Sequence, residues 1–137
     1  MATTATKSPV QLVSDAYDVL LKNGDLDGFC DYFDDDTVMS ESASLPYGGE
    51  YQGREAIKQG ILGVFGYWKD FSFDVKQLTE GGNYVIAYGT FSATSIKTGQ
   101  KVSFPLAEVW EIVDGRVKLC QPIYSDTKMV CEALGVS

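Results

Sequence analysis

Along Val102–Val113 the even positions read Val102, Phe104, Leu106, Glu108, Trp110 and Ile112, and no other stretch constrains the fold as tightly. Side chains two apart in a strand point to the same face. One face of this strand is therefore large and apolar and carries a single charge. An unpaired carboxylate among such neighbours is costly, and burial raises its pKa until it holds a proton. A neutral carboxylic acid in an apolar cavity is a hydrogen-bond donor, able to stabilise a developing oxyanion. The other reading of Glu108 is a lip residue whose carboxylate reaches water or an arginine.

The remaining elements surround that strand. Ser8-Pro9 starts a helix, with Ser8 as N-cap and Pro9 in the first turn. Val10, Val13, Ala16, Tyr17, Leu20 and Leu21 repeat at helical spacing until Gly24. Asp25 caps a short second helix bearing Leu26, Phe29, Cys30 and Phe33, and Asp34-Asp35-Asp36 reads as a solvated turn. A short strand, Thr37–Ser42, and a loop, Leu45–Gln52, lead to a third helix from Gly53 that carries Ile57, Ile61, Val64, Phe65 and Trp68. Strands come next around Phe71–Val75, Tyr84–Ile96, Lys101–Val113 and, after a tight Asp114-Gly115 hairpin, Arg116–Asp126. An amphipathic turn, Thr127–Leu134, ends at Gly135. Helices gathered on one side of an antiparallel meander predict an α+β fold. The expected organisation is one domain over residues 8–135, preceded by a disordered tail over residues 1–7.

Composition excludes several functions. With 137 residues there is room for one real core. A net charge of −8 repels phosphate backbones and anionic membranes, and no apolar run approaches a membrane span. Neither nucleic acid nor membrane is an expected partner. Cys30, Cys120 and Cys131 are odd in number without C-x-x-C spacing, which suggests free thiols and a cytoplasmic location. With no histidine, Ser-His-Asp and Cys-His machinery and His-ligated metals are impossible. Proton transfer must fall to Asp, Glu, Tyr, Lys or Cys. The Asp34–Asp36 run points its carboxylates in different directions and no further ligand spacing supports a site, so no metal is expected; nor is a cofactor expected.

Val10-Gln11 through Tyr17, Asn23-Gly24-Asp25-Leu26, Phe33 through Asp36, Gly53 through Ile57, and Val109-Trp110 through Val117 together resemble the NTF2-like superfamily. The closest local match is its SnoaL-like and ketosteroid isomerase branch. That resemblance implies a cone of three main helices on a strongly curved sheet, an apolar cavity and a homodimer joined through the outer sheet face. Ser92, Thr94, Ser103 and Glu111 make that face read as fairly polar. The ketosteroid isomerases place a Tyr on the first helix, an Asp base on the first strand and an Asp on a late strand; these positions match Tyr17, Glu41 and Glu108, with Ser40 replacing Glu41 if the register slips by one. An Asp base with a Tyr and a protonated Asp in the oxyanion hole is that family's known chemistry. The polyketide cyclases' final-strand His and Asp would fall near Gln121 and Ile123, so a SnoaL-type cyclase mechanism is not expected.

Tyr17, Glu41 and Glu108 are thus the candidate catalytic residues. Phe33, Tyr51, Ile61, Tyr88, Trp110, Gln121 and Tyr124 are the candidate ligand contacts. Each has a plainer reading: Tyr17 and Trp110 as core residues, and Tyr51 as a loop anchor. The expected ligand is a small hydrophobic molecule, steroid- or polyketide-like. Two classes of function remain open, an isomerase-like enzyme moving a proton next to a carbonyl (or a SnoaL-like cyclase or dehydratase using other residues) and a non-catalytic binding or dimerisation module.

Overall fold

The computed structural model describes residues 7–136. Of the expected tail, residues 1–6 lie outside the described residues, and the Lys7 ammonium pairs with Asp15. Helix α1 (Pro9–Tyr17) begins as expected, with the Ser8 hydroxyl accepting from the Gln11 N–H at 3.1 Å. It does not run on to Gly24. From Asp18 to Lys22 the backbone widens into a π-helical turn, where the Asn23 N–H reaches the Asp18 carbonyl at 3.2 Å. One extra residue in the turn rotates the side chains around the helix axis, and Leu20 and Leu21 come to line a cavity. Helical periodicity is blind to such a widening.

Helix α2 (Leu26–Cys30) is capped by Asp25. Strand β1 (Val38–Glu41) is followed by β2 (Gly49–Gln52), a four-residue edge strand inside the expected loop. Helix α3 (Arg54–Phe65) ends at Gly66, so Trp68 opens the next strand instead of closing the helix. The long strands are β3 (Trp68–Gly81), β4 (Tyr84–Ser95), β5 (Lys101–Val113) and β6 (Arg116–Tyr124), and α4 (Thr127–Ala133) is the last element. The hairpin between β5 and β6 has positive φ at both Asp114 and Gly115, as its sequence demands.

The six strands form one curved, unclosed sheet in the order β2-β1-β6-β5-β4-β3. All neighbours are antiparallel except β1 and β6, which pair in parallel through Val38–Leu119 and Met39–Cys120. Strand β3 breaks register between Lys69 and Ser72 and again between Val75 and Gln77. At the second break the Asp74 carbonyl would stand 2.1 Å from a Cβ at residue 89, which is why Gly89 occupies that site.

Inward side chains form two clusters. One holds Val13, Ile57, Trp110 and Val117 beneath α1, α2 and α3; the other holds Leu45, Phe104, Val130 and Leu134 beneath α4. The outer face is more apolar than the sequence suggested. Ser92 and Ser103 do pair through their hydroxyls at 3.1 Å. Beside them, however, the register lays Tyr88, Ala107 and Ile123 in one row and Ile86, Val109 and Gln121 in the next. Tyr88 and Ile123 are half exposed there.

Candidate active site

A cavity of about 120 Å³ lies between the two core clusters. Its walls come from the π turn, α3, β3 and the inner face of the sheet, and no lysine or arginine lines it. Most of its lining is apolar or aromatic, including Phe73, Phe91, Leu106 and Ile61. Two carboxyls, Glu41 and Glu108, interrupt that lining together with the hydroxyls of Tyr17 and Tyr124. In this setting charge is strongly disfavoured.

Glu108 pairs across the sheet with Ala87 and Pro122, which fixes its side chain on the inner face. Tyr17, the last residue of α1, donates to Glu108 Oε1 at 2.5 Å. The indole Nε1–H of Trp110 in turn donates to the Tyr17 hydroxyl at 2.9 Å. Desolvation pushes the Glu108 carboxyl above its ordinary range, and the hydrogen bond from Tyr17 only partly offsets this. Burial, reinforced by the Glu108 carboxyl, raises the Tyr17 phenol well above its usual value. With Glu108 neutral, the pair owns two hydrogens and places one in its mutual bond. The other is free for a ligand oxygen. Were Glu108 ionised, the single hydrogen would be fully occupied and no donor would remain.

Glu41 is the last residue of β1 and is only 8% exposed. Its Oε1 is buried without a hydrogen-bond partner, the one such side-chain atom among the described residues. Desolvation, then the nearby Glu108 carboxyl, raise its pKa to about 8, while the adjacent Tyr124 hydroxyl pulls it down somewhat. Continuing the parallel register of β1 and β6 by two residues sets Glu41 level with Pro122, which already pairs with Glu108 on the other side. The two acids therefore stand on strands two apart, their backbones about 10 Å from each other.

Behind Glu41 lies a second group of aromatic hydroxyls. Tyr124 and Tyr47 share a hydrogen bond of 2.9 Å, and the Trp68 indole Nε1–H donates to the Tyr47 hydroxyl at 3.2 Å. Burial raises the Tyr47 phenol to about 12.

Of the expected ligand contacts, Ile61 and Tyr124 line the cavity. Phe33 packs edge-on against Phe29 and beside Trp110, within the core. Trp110 itself is fully buried and supports Tyr17 from behind. Tyr51 donates to the Tyr47 carbonyl at 2.8 Å and lays its ring where a Cβ at Gly60 would clash, so it anchors the loop. Tyr88 and Gln121 must be moved to the opposite face. In β4 the inward positions are Val85 and Ala87, and in β6 they are Cys120 and Pro122, so strand alternation turns Tyr88 and Gln121 outward. Sequence reasoning missed Trp68 and Tyr47. The first lay hidden by an overlong helix reading, and the second sits in a stretch without periodicity.

Among the described residues no group of three His, Cys, Asp or Glu is arranged to hold a metal, and no helix is long and apolar enough to cross a membrane. No curated protein matches the sequence. Similar solved structures include an NTF2-like protein from Burkholderia thailandensis, 25% identical over 93% of this chain and 98% of its own, with a TM-score of 0.85. Another, from Catenulispora acidiphila, has a ketosteroid isomerase-like fold and was solved with trimethylamine; it is 15% identical over 96% of each chain, TM-score 0.76. A third is described as a SnoaL-like polyketide cyclase from Mesorhizobium loti, 19% identical over 86% of this chain and all of its own, TM-score 0.71. At these identities the likeness establishes the fold. The model of the SnoaL-like domain matches residues 13–119, most of the chain, and with the six-stranded curved sheet under its helices this protein belongs to the SnoaL-like family of the NTF2-like fold.

Proposed function

We propose that the protein is a proton-transfer enzyme of the ketosteroid isomerase type, acting next to a carbonyl on a small hydrophobic molecule. The observation that carries this reading is the meeting of two unlike acids in one apolar cavity. Glu108 is held by Tyr17 with one hydrogen to give, and Glu41 presents a bare buried oxygen. A substrate carbonyl oxygen would accept from the Glu108–Tyr17 pair. Glu41, once ionised, would remove a proton from the adjacent carbon and return it to another position, while the pair holds the enolate oxygen. The proton count balances, because Glu41 gives back what it takes.

The cavity's size narrows the ligand. A closed apolar space of roughly 150 Å³ accommodates benzene, so a cavity near 120 Å³ suits one ring. A steroid- or polyketide-like molecule would seat one ring inside and project the rest past Leu21 and Phe71, which line the cavity yet remain partly exposed. The absence of cationic lining argues against anionic substrates. We also propose a homodimer joined through the outer sheet face, because the Tyr88–Ala107–Ile123 row is a contiguous exposed apolar patch. Sedimentation of Ile123→Lys as a monomer beside a dimeric wild type would support it; a monomeric wild type at high concentration would refute it.

The test of the enzyme reading is exchange of an α-proton of a cyclic β,γ-unsaturated ketone in deuterated water. Wild type is expected to exchange it with a rate that rises with pH and levels off above about 8, as Glu41 loses its proton. No exchange across a panel of one- and two-ring ketones would favour a non-catalytic binding protein.

A further inference from the structure

We propose that Tyr47, which does not line the cavity, is a positioning residue: fixed by the Trp68 indole, it aims its hydroxyl hydrogen at Tyr124 and thereby leaves the Tyr124 hydrogen for the Glu41 carboxylate. The direction comes from what each group can do. An indole N–H only donates, so at the 3.2 Å contact Tyr47 must accept from Trp68. Tyr47 is 5% exposed, and the one other hydroxyl partner beside it is Tyr124 at 2.9 Å. If Tyr47 did not donate to Tyr124, its own buried hydrogen would have no acceptor. With Tyr47 donating, the Tyr124 oxygen is filled from behind and its hydrogen is left over. Among the described residues the one buried side-chain acceptor that lacks a partner is Glu41 Oε1, and the Tyr124 hydroxyl is adjacent to that carboxyl.

The chain Trp68→Tyr47→Tyr124→Glu41 favours the charged form of Glu41, because hydrogen bonds in series polarise one another. This opposes burial and the Glu108 carboxyl, which both favour the protonated form. The other titratable groups facing the cavity are Tyr17 from α1 and Cys120 from β6; α3 contributes only Ile61, Val64 and Phe65. Glu108 is thus the one other carboxyl facing Glu41, and substitutions in the relay leave it in place. The relay would set the pH at which Glu41 becomes a base.

The catalytic consequence rests on the proposed role of Glu41, but the relay itself is read by titration and needs no turnover. In protein carrying 13C-labelled glutamate and tyrosine, the Glu41 carboxyl signal is assigned by its loss in Glu41→Gln and followed with pH. In wild type the ring Cζ signals of both Tyr124 and Tyr47 are expected to move at the Glu41 midpoint. Tyr47→Phe is expected to shift that midpoint upward from its wild-type value near 8. Trp68→Phe should shift it less, since Tyr47 remains but loses its fixed direction. A midpoint unchanged in Tyr47→Phe overturns the proposal. So does a Tyr47 Cζ signal that stays still while Glu41 titrates; this reading uses unsubstituted protein and decides the matter even if Tyr47→Phe does not fold. A shifted midpoint without ketone exchange would uphold the relay and refute the enzyme reading; exchange with an unmoved midpoint would do the reverse.

Discussion

Two polar chains enter the cavity from opposite sides, and they differ in how they end. The Trp110–Tyr17–Glu108 chain is closed: an indole donates to a phenol, the phenol to a carboxyl, and each contact is a formed hydrogen bond. The Trp68–Tyr47–Tyr124 chain begins the same way but stops at Glu41, whose Oε1 has no partner. A closed chain fixes geometry, because every member is held by its neighbour. An open one retains an unmet need, and unmet buried polarity is what a ligand or a proton can satisfy. The closed arm is therefore suited to holding charge that develops elsewhere, and the open arm to exchanging a proton.

The contrast breaks most decisively at Glu41. Glu41→Gln keeps the shape of the side chain but cannot accept a proton at neutral pH. Ketone exchange is expected to fall to the uncatalysed rate while a phenolic ligand still binds within a few-fold of wild type, as read by fluorescence or calorimetry. Full activity in this variant would relocate the base and erase the functional difference between the arms.

The same substitution should also alter how stability depends on pH. An acid whose folded-state pKa is raised contributes stability that is complete below its unfolded value and disappears as pH rises through the folded value. For Glu41 that window runs from 4.5 to about 8. At about 1.4 kcal/mol per pH unit, wild type would lose up to about 5 kcal/mol across it relative to Glu41→Gln. Denaturant midpoints of the two proteins should therefore separate as pH climbs from 5 to 8.5, with the glutamine variant gaining. Parallel curves would mean that Glu41 titrates as if it were solvated.

How far each arm is legible in the sequence depends on the regularity of its backbone. Tyr17 lies on a helix and Glu108 on a thirteen-residue strand, so period 3.6 and period 2 by themselves turn both inward. The α+β order and the Asp114-Gly115 hairpin are legible for the same reason. Tyr47 belongs to the irregular stretch between β1 and β2, where no period exists to orient it. Trp68 comes two residues after Gly66, and its apolar character fits a helix end as well as a strand start. Tyr88 and Gln121 teach the opposite lesson. Alternation already contradicts a cavity role for both, since Val85 and Ala87 on one strand and Pro122 and Tyr124 on the other have to face inward together.

Within the closed arm, substitutions test whether Glu108 carries a proton. Glu108→Leu removes the carboxyl's own hydrogen and leaves the Tyr17 hydroxyl without the acceptor that orients it, and exchange should slow by about 10²–10³, the usual loss for one oxyanion donor. Glu108→Gln retains an N–H donor and should lose less. If Glu108 were ionised in the native protein, the amide would add a donor where there had been none, and Glu108→Gln would be faster than wild type. The rate of Glu108→Gln relative to wild type, slower or faster, thus reports the protonation state without a titration.

The smallest expected difference compares the two indoles. Trp110 and Trp68 are both essentially buried, so replacing either with Phe removes a similar volume and one indole N–H. In the closed arm Tyr17 keeps its bond to Glu108, and Trp110→Phe should slow exchange only several-fold, near the value of about 1 kcal/mol for one neutral hydrogen bond. Its pH profile should keep the wild-type midpoint, because Trp110 does not touch the chain that ends at Glu41. Trp68→Phe should give a comparable loss at high pH together with a midpoint moved upward, since the open arm transmits the change to the base. Equal midpoints in the two variants would show that the arms differ in geometry alone; a midpoint moved by Trp110→Phe would show that proton affinity is shared between the two carboxyls across Pro122.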